Sequence, residues 1–108
     1  MTKIFCYGTL NLHEVQMYLW GETKQGAVAQ LSNYELKGFS NNIFYVEKNF
    51  GETVAGKVYD LNDEQLKATD RYETSAYKRE KVQIGGVEVE VYAMNNDYFS
   101  KKEGEENE

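Results

Sequence analysis

The chain has 108 residues, of which 41% are hydrophobic and 14% aromatic, enough for one globular domain with a single modest core. Its formal net charge of -6 and pI near 4.8 repel a phosphate backbone, and no Lys/Arg stripe offsets them, which excludes nucleic acid as an expected partner. One histidine and one cysteine leave no internal disulfide and too few ligands for a zinc site.

No apolar run is long enough to span a membrane, and the opening Met-Thr-Lys leads straight into a strand pattern without signal-peptide character. A reducing, cytoplasmic setting is the expectation. Neither a Gly-x-Gly-x-x-Gly nor a Walker loop occurs, and Cys-x-x-Cys, His-Glu-x-x-His and calcium-loop spacings are missing. The chemistry expected is therefore free of cofactor and metal. Residues 1–100 read as the domain, and 101–108, rich in glutamate, as an acidic, solvated, disordered tail.

In chain order, residues 3–7 form a buried-looking strand closed by Gly8. Leu12, Val15 and Leu19 then make a helical stripe up to Trp20, with Asn11 as cap and Gly21 as breaker. Val28, Leu31, Tyr34 and Leu36 give an imperfect strand interrupted near Ser32-Asn33. Turn material at Gly38–Asn42 leads to a strand at Ile43–Val46, and a second turn at Asn49–Glu52 leads to another at Val54–Tyr59. Gly56 marks a bulge or a close backbone approach.

Asn62 or Asp63 caps the clearest helix, on which Leu66, Thr69, Asp70 and Glu73 share one inward face. Last comes a hairpin, Tyr77–Ile84 and Val87–Met94, around Gly85-Gly86. If Ile84 opposes Val87, then Lys81 opposes Glu90, Arg79 opposes Tyr92 and Tyr77 opposes Met94. Val82, Ile84, Val87, Val89, Val91 and Ala93 then line a core face. Five or six turn-joined strands and two short helices predict an α+β fold, a small mixed sheet curled toward a barrel.

Two separated segments can carry chemistry. The turn Tyr7-Gly8-Thr9-Leu10 follows a strand, and its glycine permits a positive φ, which turns successive N–H groups toward an anion. Glu73 places one carboxylate on the packed side of a helix end, where desolvation and a neighbouring Asp70 raise its pKa toward proton transfer. Asp70 itself either forms a dyad or braces something structural. Cys6 is the competing nucleophile, with His13 as its only imidazole partner, and its strand position favours a buried structural role.

The order Phe5-x-Tyr7-Gly8-Thr9-Leu10, Val54-x-Gly56-x-Val58-Tyr59 and Asp70-x-Tyr72-Glu73-x-x-x-Tyr77-x-Arg79 resembles the gamma-glutamylcyclotransferase-like superfamily, also called AIG2-like. The similarity spans about residues 4 to 93 and implies a small mixed β-barrel flanked by short helices. It further implies that Tyr7, Gly8, Thr9 and Leu10 hold a glutamyl group through backbone amides and that Glu73 is the acid/base. Such an enzyme cyclises a gamma-glutamyl amine or short peptide to 5-oxoproline and a free amine or amino acid, without a cofactor. Asn11 and Thr74 depart from the family, where arginine and glycine are common, and the segment from Gly38 to Val54 lacks the usual proline-containing loop.

Tyr77 is expected either to border the pocket through its hydroxyl or to fill the barrel. Arg79 either braces an acidic or aromatic neighbour or stacks on Tyr92 at the rim. The rival function is a non-catalytic small-molecule or protein-binding module on the same barrel. The assembly expected is a monomer or weak homodimer.

Overall fold

Alternating apolar residues in five segments build one mixed sheet in the computed structural model, which describes residues 1–38 and 44–95. The strands are β1 (Thr2–Cys6), β2 (Ala27–Gly38), β3 (Phe44–Leu61), β4 (Tyr77–Ile84) and β5 (Val87–Met94). Helices α1 (His13–Trp20) and α2 (Asp63–Glu73) and a 3-10 turn at Thr9–Asn11 complete the described fold. The expected turn at Gly38–Asn42 falls largely outside the described residues, as does the acidic tail. Among the described residues no helix is long and apolar enough to cross a membrane.

Strand order is β2-β3-β1-β5-β4, antiparallel throughout except that β1 runs parallel to β5. The sheet curls into a half-barrel, bringing its two edge strands, β2 and β4, toward each other. On the concave side Phe5, Leu31, Tyr34, Val46, Val54, Val89 and Val91 form one buried cluster. On the opposite side Ile4, Cys6, Leu10, Trp20, Tyr59, Leu61 and Tyr92 form a second, with Val15 and Leu19 of α1 and Leu66 of α2 packed on it. A strand with an apolar face on each side, such as β1, can be central only in such a two-layer arrangement.

The hairpin register is the one expected, Ile84 opposite Val87 through Tyr77 opposite Met94. Gly85 and Gly86 both have positive φ, 58° and 79°, the pair of angles that a two-residue turn matched to sheet twist demands. The charge pairing differs from the direct cross-strand one. Lys81 faces Glu90 in register but reaches Glu88 at 3.5 Å, while Arg79 takes Glu90 at 3.4 Å. Long side chains lean along the strand, so the diagonal partner is also in reach.

Asn49–Glu52 is not a chain reversal. Tyr34 pairs with Lys48 and Ser32 with Thr53, so residues 49–52 are extra length within one continuous β3, opposed by Asn33 alone. Asn33 adopts φ 66°, its Oδ1 accepts the Gly51 N–H at 3.1 Å, and Asn49 Nδ2 donates to Glu35 at 2.8 Å. Phe50, at the tip of this wide bulge, is fully exposed.

Asn62 is the α2 cap of the two alternatives. Its side chain accepts the Gln65 N–H at 2.8 Å and Gln65 Oε1 accepts the Asn62 N–H at 3.1 Å, a reciprocal capping box. Asp63 and Glu64 fill the first turn beside the positive end of the helix dipole. Asn11 does not cap α1; Leu12 occupies that position and offers no side-chain cap. The two helices interlock through buried polar groups. Trp20 Nε1 donates to Thr69 Oγ1 at 2.9 Å, Thr69 in turn donates to the Gln65 carbonyl, and Gln65 Nε2 donates to the Trp20 carbonyl at 3.3 Å.

Candidate active site

Strand β1 carries the chain into the sheet centre and then must release it at Gly8. Gly8 has φ -132° and ψ -137°, so the expected positive φ is absent; the turn is made instead by the 3-10 segment that follows. Asn11 N–H donates to the Gly8 carbonyl at 3.1 Å and Leu12 N–H to that of Thr9 at 3.0 Å. Among the described residues the N–H groups of Gly8, Thr9 and Leu10 have no acceptor, as the first donors of any helical turn lack one. A Cβ built on Gly8 meets nothing within 4 Å, so the space over the turn is open.

Asn11 fixes this turn from behind. Its Nδ2 donates to the Cys6 carbonyl at 2.9 Å and its Oδ1 accepts the Tyr59 hydroxyl at 2.9 Å. Tyr59 is itself wedged against Trp20, the ring centroids 5.4 Å apart. Gly56 is what lets β3 come this close: a Cβ there would lie 2.4 Å from the Cys6 carbonyl oxygen and 2.6 Å from the Phe5 ring. The Val54–Tyr59 motif thus shapes the β1 turn, and Gly56 marks a close backbone approach. Gln16, fully buried, adds a brace by donating from Nε2 to the Leu10 carbonyl at 2.9 Å.

Helix α2 delivers Glu73 to the same region. Thr9 Oγ1 and the Tyr72 hydroxyl are 2.9 Å apart, tying the turn to the last turn of α2. The Glu73 charge acts on Cys6, Tyr7, Tyr77 and Tyr92, whose pKa values it raises together with burial. Desolvation pushes Glu73 itself up to about 7. Among the described residues its carboxylate has no hydrogen-bond or ion-pair partner, yet no buried side-chain oxygen lacks one, so both Glu73 oxygens still reach solvent. The structure thus brings Glu73 to the Tyr7–Leu10 turn in a half-buried, solvent-reachable position.

Asp70 contributes nothing to that shift, contrary to the sequence expectation. Its carboxylate is engaged by Arg79 Nε at 3.0 Å and by the Tyr92 hydroxyl at 2.5 Å. Arg79 bridges Asp70 to Glu90 and makes no ring contact with Tyr92, so it braces acids rather than stacking. Tyr77 lies within reach of the Glu73 charge, and its hydroxyl donates to the Phe44 carbonyl at 3.0 Å. The Tyr7 hydroxyl donates to the Tyr92 carbonyl at 2.8 Å and faces the Val46 N–H, so the side chain of Tyr7 is a wall tied to β3 and β5. Gln16 carries no signal in the sequence; Tyr72 enters there only as a motif position beside Glu73, and Tyr92 only as the residue opposite Arg79.

Cys6 is buried, and burial raises its thiol pKa far above the ordinary range. His13 lies exposed at the start of α1. A buried neutral thiol with no imidazole beside it is a poor nucleophile. Among the described residues no group of three or more His, Cys, Asp or Glu could hold a metal ion.

The profile of the family described as "Gamma-glutamyl cyclotransferase, AIG2-like" matches residues 4–108. No curated protein matches the sequence significantly. Among solved structures, At3g28950.1 from Arabidopsis thaliana is 24% identical with a TM-score of 0.77, the match covering 88% of this chain and 62% of that one. A structure titled "Gamma-glutamyl cyclotransferase" is 20% identical over 87% of this chain and 66% of its own, with a TM-score of 0.72. An AIG2-like protein from Mus musculus is 23% identical over 87% and 77%, with a TM-score of 0.66. These likenesses bear on fold, and the chain spans less than two thirds of the length of the first two.

Proposed function

The chain belongs to the gamma-glutamyl cyclotransferase, AIG2-like family, and on that premise we propose that it cyclises a gamma-glutamyl amine or short gamma-glutamyl peptide, releasing 5-oxoproline and a free amine or amino acid. One observation carries this reading. Glu73, with a pKa pushed up to about 7 and no protein partner among the described residues, stands beside a turn whose N–H groups are free. A general base and acid is most effective when its pKa lies near the working pH.

The substrate carries both reactants. Its α-amine and its γ-carbonyl close a five-membered ring, so proximity needs no second binding event. Glu73 as carboxylate takes a proton from the α-ammonium, and the freed amine attacks the γ-carbonyl. The N–H groups of Gly8, Thr9 and Leu10 receive the glutamyl oxygens, including the one that gathers negative charge. The C–N bond to the leaving amine then breaks, and Glu73 returns the proton to that nitrogen. Tyr7 and Tyr77 wall the pocket, while Asp70 and Arg79 hold α2 against β4 and β5.

A panel of gamma-glutamyl conjugates, assayed for 5-oxoproline by chromatography, tests the proposal. Release by the wild type and its loss in Glu73→Gln, by roughly 100-fold or more, is the expected result. Saturable binding of conjugates with no release from any of them would instead identify the non-catalytic binding module.

A further inference from the structure

The half-barrel carries a second concavity on its inner face, lined by none of the residues of the Glu73 site. A cavity of about 450 Å³ opens between the β3 bulge and β4, walled by Leu31, Tyr34, Phe50 and Val82. That volume is in the range of small-molecule sites, and its lining is mostly apolar with a few polar groups. The wall is built rather than incidental. Asn33 holds φ 66°, a conformation rare for a residue with a side chain, and its Oδ1 locks Gly51 while Asn49 is locked to Glu35. These bonds fix the bulge that carries Phe50, a residue 93% exposed although it lines the cavity.

The polar groups of the rim divide into two kinds. Asn33 and Asn49 are engaged in locking the bulge. Ser32, Gln83 and Lys48 have no side-chain hydrogen-bond or ion-pair partner among the described residues. Lys48 follows Val46 on the concave face of β3, and Tyr34, its partner in register, shares the cavity with it. Of the nearby acids, Glu47 is paired with Lys37 at 2.7 Å, and Glu80 lies in the adjoining, more polar hollow of about 310 Å³. Lys48 and Glu80 border that hollow without forming an ion pair.

We propose that this concavity is a ligand site distinct from the Glu73 turn, taking a small acid with an aromatic or branched aliphatic body. The body fills the space between Leu31, Tyr34, Phe50 and Val82, and the anionic group meets the Lys48 ammonium, with Gln83 and Ser32 as further donors. Burial of the body against Phe50 supplies the nonpolar part of the affinity. The charge-assisted bond to Lys48 supplies selectivity for acids over their neutral analogues.

Phenylacetate and phenylacetamide, titrated separately into the full chain and followed by amide chemical shifts, test the proposal. Phenylacetate is expected to shift the Asn33, Phe50 and Gln83 amides saturably, and phenylacetamide to bind about tenfold more weakly, as a charged hydrogen bond implies. Lys48→Met should abolish the difference between the two, Phe50→Ala should weaken both, and Glu73→Gln should leave both unchanged. Equal binding of the two probes, unaltered discrimination in Lys48→Met, or no saturation at those amides would overturn the proposal. Loss of the shifts in Glu73→Gln would place the acid in the candidate active site instead and overturn it as well.

Discussion

The Tyr92 hydroxyl donates to the Asp70 carboxylate at 2.5 Å, joining the inner end of β5 to the last turns of α2. Because Arg79 also pairs with Asp70, this carboxylate is held by a neutral donor and a cation at once. Tyr92→Phe keeps the ring and removes the donor. A hydrogen bond to a charged group contributes about 1.5–3 kcal/mol, so the variant should lose stability within that range by urea denaturation. An unchanged midpoint would show that Arg79 alone holds Asp70.

Glu73 makes stability depend on pH in a defined direction. Its folded pKa of about 7 lies above the ordinary value of 4.5, so the folded state binds the proton more tightly than the unfolded chain. Its contribution is therefore complete below about pH 4.5 and lost as pH rises to about 7. Glu73→Gln cannot ionise and should be more stable than wild type at pH 8, with little difference at pH 4. Thermal melts of both proteins at the two pH values check this, and a wild type more stable at pH 8 would contradict it.

Thr74 follows Glu73 with φ 64° and ψ -179°, a region adopted almost only by glycine. Its N–H donates to the Asp70 carbonyl at 3.0 Å, and its carbonyl and hydroxyl accept from Tyr77 and Ala76. Such strain costs about 1–3 kcal/mol. Thr74→Gly relieves it but frees the unfolded chain and loses the Ala76 bond, so the net gain should be about 1 kcal/mol. A rise in melting temperature with undiminished 5-oxoproline release is the expected outcome.

Cys6→Ala tests the thiol directly. The side chain is buried with Ile4 and Leu10 in the helix-side cluster, and among the described residues its one hydrogen bond is a long one of 4.0 Å to the Ile4 carbonyl. Removing it should lower stability by about 1 kcal/mol while leaving any 5-oxoproline release at the wild-type level. Abolished turnover in a folded Cys6→Ala protein would reinstate the thiol as nucleophile.

Elements defined by local rules were legible in the sequence. The β4–β5 register follows from Gly85-Gly86 and period-two alternation, and α2 from Asn62 and its inward stripe. The meeting of Glu73 with the Tyr7–Leu10 turn depended on resemblance, because the contacts that make it, Thr9 to Tyr72 and Tyr7 to Tyr92, span 63 and 85 residues. The β3 bulge is not legible locally: Asn49 to Glu52 is turn-forming material, and only pairing with β2 shows that the strand continues through it. The role of Asn11 is hidden for a similar reason. Asparagine is a good cap wherever it precedes a helix, but here its side chain is drawn back to Cys6 and Tyr59 by tertiary packing.

The parallel pairing of β1 with β5 joins Ile4 to Glu90 and Phe5 to Val91 across most of the described chain. Because β1 lies between β3 and β5, closing the sheet requires two long-range searches, one from either side. The β2–β3 and β4–β5 pairs each join strands close in sequence, but neither supplies the seat for β1 alone. Folding should therefore run through two early strand pairs and a late insertion of β1. The turn that faces Glu73 takes shape only in that last event, so a chain caught before it would hold its strands in register and still have nowhere to receive a ligand.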